Sequence, residues 1–220
     1  QHFMYFFDPD YVTQMRIPGF DPHLDIALLA GMLTEEQIEE HKLYDKTKGS
    51  EGISHKNVRN KSKQVNFSCV YGAGPPKIAK SSGMTLEEAT LLHTIYWKRN
   101  KSVKQVADAV KTKTVNGQMW LYNPISNFWY SLRFEKDKFS TCNQGSGVYC
   151  FDSYVKKVRE KGIKISMQYH DEILFYLNEN EVENISQKLD KSIDETNEEL
   201  QLNIQLGISK DFGNNYSDCH

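Results

Sequence analysis

The chain has 220 residues, a mass of 25.5 kDa and a formal net charge of −2, with 39% hydrophobic and 12% aromatic residues. That is too apolar for an intrinsically disordered chain and long enough for one large domain or two small ones. Mean hydropathy is −0.63, and no run approaches the ~20 apolar residues of a membrane span. The near-neutral total conceals a division: residues 46–113 hold 14 Lys/Arg against 4 Asp/Glu, and the remainder holds 13 against 25. Such a basic segment either faces a polyanion or is a solvated, lysine-rich helical surface, and charge alone leaves both open.

The start, Gln1–Phe7, is apolar but has neither a basic n-region nor a small-residue cleavage site, so no signal peptide is expected. Leu24, Leu28, Leu29 and Leu33 recur at helical spacing and predict helix over 24–44, with Thr34 and Gln37 as a capping box for a following helix. Residues 45–55 read as a polar loop. Residues 56–71 read as a basic amphipathic helix stopped by Gly72-Ala73-Gly74-Pro75-Pro76. Thr85 and Glu88 form a second capping box opening a helical stretch to about Lys111. Asn116-Gly117 marks a hairpin turn, and the aromatic-rich run Met119–Phe134 continues that extended region. Residues 144–161 read as helix. Ile163–Gln168 and Ile173–Leu177 read as strands around Tyr169-His170-Asp171-Glu172. A polar helix follows from about Glu181 to Leu200, then an apolar strand over Leu202–Ile208. Mixed helices and strands predict an α+β fold. The four cysteines, Cys69, Cys142, Cys150 and Cys219, have no zinc-knuckle or CxxC spacing and suit a reducing compartment rather than a disulfide framework.

Three constellations carry candidate chemistry. Arg59, Lys63, Phe67 and Tyr71 recur every four residues, which on a helix places them on one face. Two cations can clamp a triphosphate and two aromatics can stack on a sugar or base. The alternative is an ordinary amphipathic helix with Phe67 and Tyr71 in the core and Arg59 and Lys63 in solvent. His170-Asp171-Glu172 between two apolar runs presents adjacent carboxylates suited to a divalent cation such as Mg²⁺, or is a plain polar turn. In Asn143-Gln144-Gly145-Ser146-Gly147, Gln144 at a helix start could reach a groove acceptor, and loop chemistry explains the run equally well.

Together and in this order the three resemble the family A DNA polymerases, a group that includes bacterial DNA polymerase I and the replicative polymerases of T-odd-type phages. Arg59–Gly74, RNKSKQVNFSCVYGAG, looks like the family's nucleotide-binding helix, and Met167–Phe175, MQYHDEILF, like its second carboxylate motif. Asp21-Pro22-His23 matches the DxH that precedes that helix, and Gly213-Asn214-Asn215-Tyr216 through His220 resembles the family's C-terminal ending. The resemblance implies fingers over 1–136, with the nucleotide-binding helix at about 56–71 and a hairpin at about 114–134. It implies the C-terminal part of an antiparallel-sheet palm over 137–220.

Carried over position by position, Arg59 and Lys63 match the cations that hold the incoming triphosphate, and His23 matches a histidine that contacts its phosphates. Phe67 matches the aromatic lying against the sugar, and Tyr71 the residue stacked near the templating base. Gln144 and His170 match groups touching the minor groove at the primer end. Asp171 matches a metal ligand and Glu172 a more peripheral carboxylate, so Asp171, Glu172 and Lys63 are the implied catalytic set. The implied cofactor is a pair of Mg²⁺ ions, and the implied partners are primer–template DNA and dNTP. The family's first carboxylate motif, counted back from Asp21, falls before Gln1. The resemblance therefore implies a C-terminal subunit or fragment, inactive alone, that works with a second polypeptide supplying that Asp, a thumb and possibly an exonuclease. The expected location is a bacterial or phage-infected cytoplasm, with no membrane association. The competing readings are a non-catalytic nucleic-acid-binding module and an unrelated metal hydrolase built on Asp171 and Glu172.

Overall fold

Asp21 followed by Pro22 starts the helix around which the N-terminal part of the molecule is organised. The Asp side chain accepts from the first free amides and proline fills a position whose N–H has no partner anyway. The computed structural model describes residues 1–219; His220, the end of the matched C-terminal motif, lies outside the described residues. Contacts divide the chain into one unit of Phe3–Tyr122 and Trp129–Cys142 and a second of Asn123–Phe128 and the residues from Asn143 onward.

The first unit runs α1 (Pro9–Met15), α2 (Pro22–Leu29), α3 (Glu35–Lys46), α4 (Lys56–Val70), α5 (Pro75–Ser82), α6 (Leu86–Arg99) and α7 (Lys101–Ala109). Strands β1 (Thr112–Val115), β2 (Gln118–Asn123) and β3 (Phe128–Leu132) follow as a sheet in the order β1-β2-β3, and α8 (Lys138–Glu160) begins here. Ile26 from α2, Val65 and Cys69 from α4, Ile78 from α5, and Ala89 and Leu92 from α6 are fully buried in one cluster. Removing such apolar surface from water is the main force holding the helices together. A smaller cluster of Leu24, Ala27, Leu33 and Ile38 joins α2 to α3. Arg99 ties three helices at once: Nε donates to Asp25 at 2.9 Å, the guanidinium lies 3.7 Å from the Tyr11 ring centroid, and Nη2 donates to Gln14.

Both capping boxes form, at Thr34–Gln37 and Thr85–Glu88. The helix expected over 24–44 is two helices, because the chain turns at Gly31, φ +68°, before the Thr34 cap. The stretch from Thr85 to Lys111 is likewise broken at Asn100, whose Nδ2 donates to the Tyr96 carbonyl. The Asn116-Gly117 hairpin is present with both residues at positive φ, which pairs β1 with β2 antiparallel.

In the second unit the rest of α8 packs against α9 (Val182–Leu200) through Tyr154, Val158, Ile163, Leu189 and Ile193. β4 (Met167–Tyr169) and β5 (Glu172–Leu174) form a two-stranded hairpin, shorter than the two runs predicted. The apolar run Leu202–Ile208 is not a strand. The Asn197 side chain accepts from the Leu206 N–H at 2.7 Å and donates to the Leu206 carbonyl at 2.9 Å. One side chain thus takes both backbone groups that a neighbouring strand would have used, while Leu206 and Ile208 still pack on the core. The helix expected from residue 144 begins six residues earlier, at Lys138. Among the described residues no helix is long and apolar enough to cross a membrane, and Cys69, Cys142, Cys150 and Cys219 are all free thiols.

The end of α4 is set by Gly72. Its N–H bonds to the Cys69 carbonyl and the Ala73 N–H to the Ser68 carbonyl, both at 2.9 Å, a Schellman closure with Gly72 at φ +69°. A Cβ there would also lie 3.3 Å from the Lys136 side chain. Gly72→Ala is expected to lower stability by about 1–2 kcal/mol, the cost of a left-handed conformation for an L-residue, seen as a lower urea midpoint at unchanged m-value.

Candidate functional site

α4 presents two chemically distinct faces. Ser62, Val65, Asn66 and Cys69 are buried, while Lys63, Phe67 and Tyr71 are exposed and Arg59 is partly covered. Phe67 and Tyr71 each keep 51% of their surface in water. The core alternative for these two aromatics therefore does not hold, since Val65 and Cys69 fill the inward positions. Two large rings thus stand half in water on one helix edge.

Arg59 and His23 reach this edge through Asp21. One carboxylate oxygen accepts from the His23 and Leu24 amides at 2.7 and 3.2 Å, and the other accepts from Arg59 Nε at 2.6 Å. Burial pushes the Asp21 carboxyl up. The Arg59 hydrogen bond, the two amides and the guanidinium charge outweigh burial and hold it below its ordinary value. Lys63 lies one turn further along α4 and makes no ion pair among the described residues.

Asn66 is the residue that sequence reasoning missed. It is buried, and its Nδ2 donates to the Pro22 carbonyl at 3.3 Å and contacts His23 Nδ1 at 2.8 Å. Pro22 can only accept, so the amide nitrogen must face it, and His23 Nδ1 must then accept as well. That assigns the ring its Nε2–H tautomer. The His23 ring also sits 6.0 Å from Phe67, centroid to centroid. An uncharged polar residue at an inward position of an amphipathic helix was the available signal.

Burial lowers the His23 pKa; the Asp21 charge opposes this, and the Arg59 and Lys63 charges reinforce it. With the folded value depressed, the stability from this group is present above the ordinary histidine value of ~6.5 and is lost as pH falls below it. Imidazole ¹H–¹⁵N spectra are expected to show a neutral Nε2–H ring with a titration midpoint below the ordinary value. Asn66→Asp, which offers Nδ1 an anionic acceptor, is expected to move that midpoint above it.

The second unit holds the remaining predicted residues. His170 and Asp171 form the two-residue turn between β4 and β5, with Tyr169 paired to Glu172. His170 adopts φ +51°, a left-handed conformation uncommon outside glycine and asparagine. Its ring lies 4.2 Å from that of Tyr169. His170 and Asp171 are exposed. Glu172 is partly covered and accepts a hydrogen bond from the Tyr216 hydroxyl at 3.2 Å, which ties the C-terminal segment to the hairpin. Neither that contact nor the left-handed histidine was foreseen.

Gln144 is exposed on α8. It is not at a helix start as expected, because the turn Glu135–Asp137 leads directly into the helix at Lys138. The adjoining Ser146 is buried and exchanges hydrogen bonds with Asn123 at 2.8 and 3.2 Å, an anchor that holds this glycine-containing segment helical. No group of three or more His, Cys, Asp or Glu side chains among the described residues is placed to hold a metal ion. Asp171 offers the hard oxygen donors that Mg²⁺ takes, but as one exposed carboxylate it fits only part of such a site. His23, Arg59, Lys63, Phe67 and Tyr71 are thus gathered in the first unit, and Gln144, His170, Asp171 and Glu172 lie in the second.

No protein-family model matches the chain. Over 150 residues it is 23% identical to the DNA polymerase I of two strains of Helicobacter pylori, an alignment covering 62% of this chain and 17% of each relative. The POL domain of Pol1 from M. smegmatis, solved in complex with DNA primer–template and dNTP, superposes with a TM-score of 0.59 at 20% identity. That match covers 89% of this chain and 35% of the other. The chain thus spans about a sixth of the curated relatives and about a third of the structural one. By fold and by sequence it is similar to the C-terminal polymerase portion of the family A DNA polymerases, whose α+β architecture it shares.

Proposed function

We propose that the chain forms the fingers and the distal palm of a DNA-directed DNA polymerase, and that it takes part in template-directed addition of dNTP to a primer 3′ end. The observation that carries this reading is the edge of α4. There Lys63 is exposed and Phe67 and Tyr71 are half exposed, with Arg59 and His23 beside them fixed through Asp21 and Asn66. An unpaired ammonium next to a clamped guanidinium and a neutral imidazole N–H is a donor set for a triphosphate. The exposed rings fit the flat faces of a sugar and a base.

In this reading Lys63 neutralises charge developing on the phosphates, Arg59 presents the guanidinium edge turned away from Asp21, and His23 donates from Nε2. Phe67 lies against the nucleotide's sugar and Tyr71 beside the templating base. Gln144 and His170 contact the minor groove at the primer end. Asp171 is a ligand for divalent metal, and Glu172, oriented by Tyr216, stays peripheral. Two Mg²⁺ ions, when bound, stabilise the attacking and leaving oxygens of the transfer. That chemistry needs a carboxylate facing Asp171. We place it, with the thumb and any exonuclease, outside these 220 residues, in a longer polypeptide or in a second chain. The first unit then corresponds to the fingers and the second to the distal palm.

Primer extension with the complete assembly tests this. Asp171→Ala is expected to lower kcat at least ~100-fold, about 3 kcal/mol, with little change in DNA affinity, and the purified 220-residue chain alone should extend nothing. Lys63→Ala is expected to weaken dNTP use tenfold or more, whereas an ordinary solvated lysine would change it less than about twofold. Phe67→Tyr should leave stability within about 0.5 kcal/mol, because the ring is half in water. It is expected to raise acceptance of 2′,3′-dideoxynucleotides by supplying the hydroxyl they lack. Equal kcat/KM ratios for ddTTP and dTTP in the two proteins would remove Phe67 from the nucleotide site.

A further inference from the structure

The three-stranded sheet carries a surface that the nucleotide reading does not use. From Ala109 to Phe134 the chain has no acidic residue, three cations (Lys111, Lys113 and Arg133) and six aromatics. The β1–β2 register places Lys113 opposite Trp120, so both project from the same face, and Tyr122, two residues on, shares it. Leu121 points the other way and is fully buried. Trp129 of β3 joins this face, on which Trp120, Tyr122 and Trp129 are each partly exposed: its ring lies 5.3 Å from Tyr122, and the Lys113 ammonium sits 3.8 Å from its centroid. Lys111 lies 5.9 Å from the Tyr122 centroid. Neither lysine makes an ion pair among the described residues. The outcome is a run of three partly exposed rings bordered by two cations that have no ion-pair partner among the described residues.

We propose that this face binds an unpaired nucleic-acid strand, with bases stacked on Trp120, Tyr122 and Trp129 and phosphates met by Lys111 and Lys113. Two features choose the occupant. Cations parked on aromatic faces and not held by an ion pair are complementary to a polyanion that also carries flat apolar groups, which a nucleic-acid strand is. A duplex does not suit the rings, because its bases are already stacked on one another and only its edges and phosphates are presented. A strand with free bases satisfies both. This face includes neither the α4 edge nor the β4–β5 turn, so strand binding here is independent of whether the chain handles dNTP.

The test is titration of the full chain with labelled oligo(dT), oligo(U) and a duplex of equal length. It is followed by anisotropy and by the emission of the tryptophans, two of whose three residues, Trp120 and Trp129, lie on this face. Either single strand is expected to bind and quench emission while the duplex does not quench, and binding should weaken steeply with salt. Trp129→Leu is expected to weaken single-strand affinity about tenfold, the usual scale for losing one stacked base. Lys113→Gln should weaken it several-fold and flatten the salt dependence. Lys113 is exposed, so this variant remains decisive if Trp129→Leu fails to fold. Affinity within twofold of wild type in Lys113→Gln, or equal quenching by duplex and single strand, would overturn the proposal.

Discussion

The Asp21 carboxylate does two things at once: it caps α2 and it holds Arg59 of α4. Because the cap fixes where α2 begins, it also fixes where His23 stands, in the first turn of the helix and against Asn66. The buried seam of Ile26, Val65 and Cys69 then leaves α4 one rotational setting, in which Lys63, Phe67 and Tyr71 face water. A single capping interaction and one apolar seam therefore set the geometry of every residue in the candidate nucleotide site. The side chains that would meet a ligand are held by residues that would not.

The same division of labour appears in the second unit. Asp171 is exposed, and its position follows from a two-residue turn that puts His170 into a left-handed conformation. Strain of that kind persists only where surrounding structure insists on it, and it gathers at functional turns. Here the pairing of Tyr169 with Glu172 and the Tyr216 contact supply the insistence. Farther along, Lys157 of α8 and Lys161 just past its end pair with Glu199 and Glu195 of α9, and Lys210 pairs with Asp190. These ion pairs are largely solvent-screened and contribute little each. The apolar face of Tyr154, Val158 and Ile193 holds the two helices together.

The acid-base character of the first site follows from its packing. Asp21 stays ionised because Arg59 and two amides donate to it, although burial opposes the charge. His23 stays neutral because burial and two neighbouring cations disfavour a further positive charge. A neutral donor next to two cations can approach a phosphate without adding to their mutual repulsion. The arrangement also keeps the guanidinium of Arg59 from collapsing onto a ligand at random, since one of its nitrogens is already committed.

Residue type and spacing alone determined a good deal of this protein. The four-residue recurrence of Arg59, Lys63, Phe67 and Tyr71, the two Thr capping boxes, the Asn-Gly hairpin and the Gly72 stop are local features, and local backbone chemistry decides them. The break at Asn100 and the early start of α8 were not legible, because helix propensity runs through both and neighbouring elements choose the boundary. The run Leu202–Ile208 has the composition of a strand but lost its ladder to the side chain of Asn197. Which side of α4 faces water was open in the sequence, since Phe67 and Val65 are equally plausible core residues by type. Only packing against Ile26, Ile78 and Leu92 decided between them. The links from Asn66 to His23 and from Tyr216 to Glu172 join residues more than forty positions apart. Partnerships between residues so distant in the chain are made only when the fold brings them together.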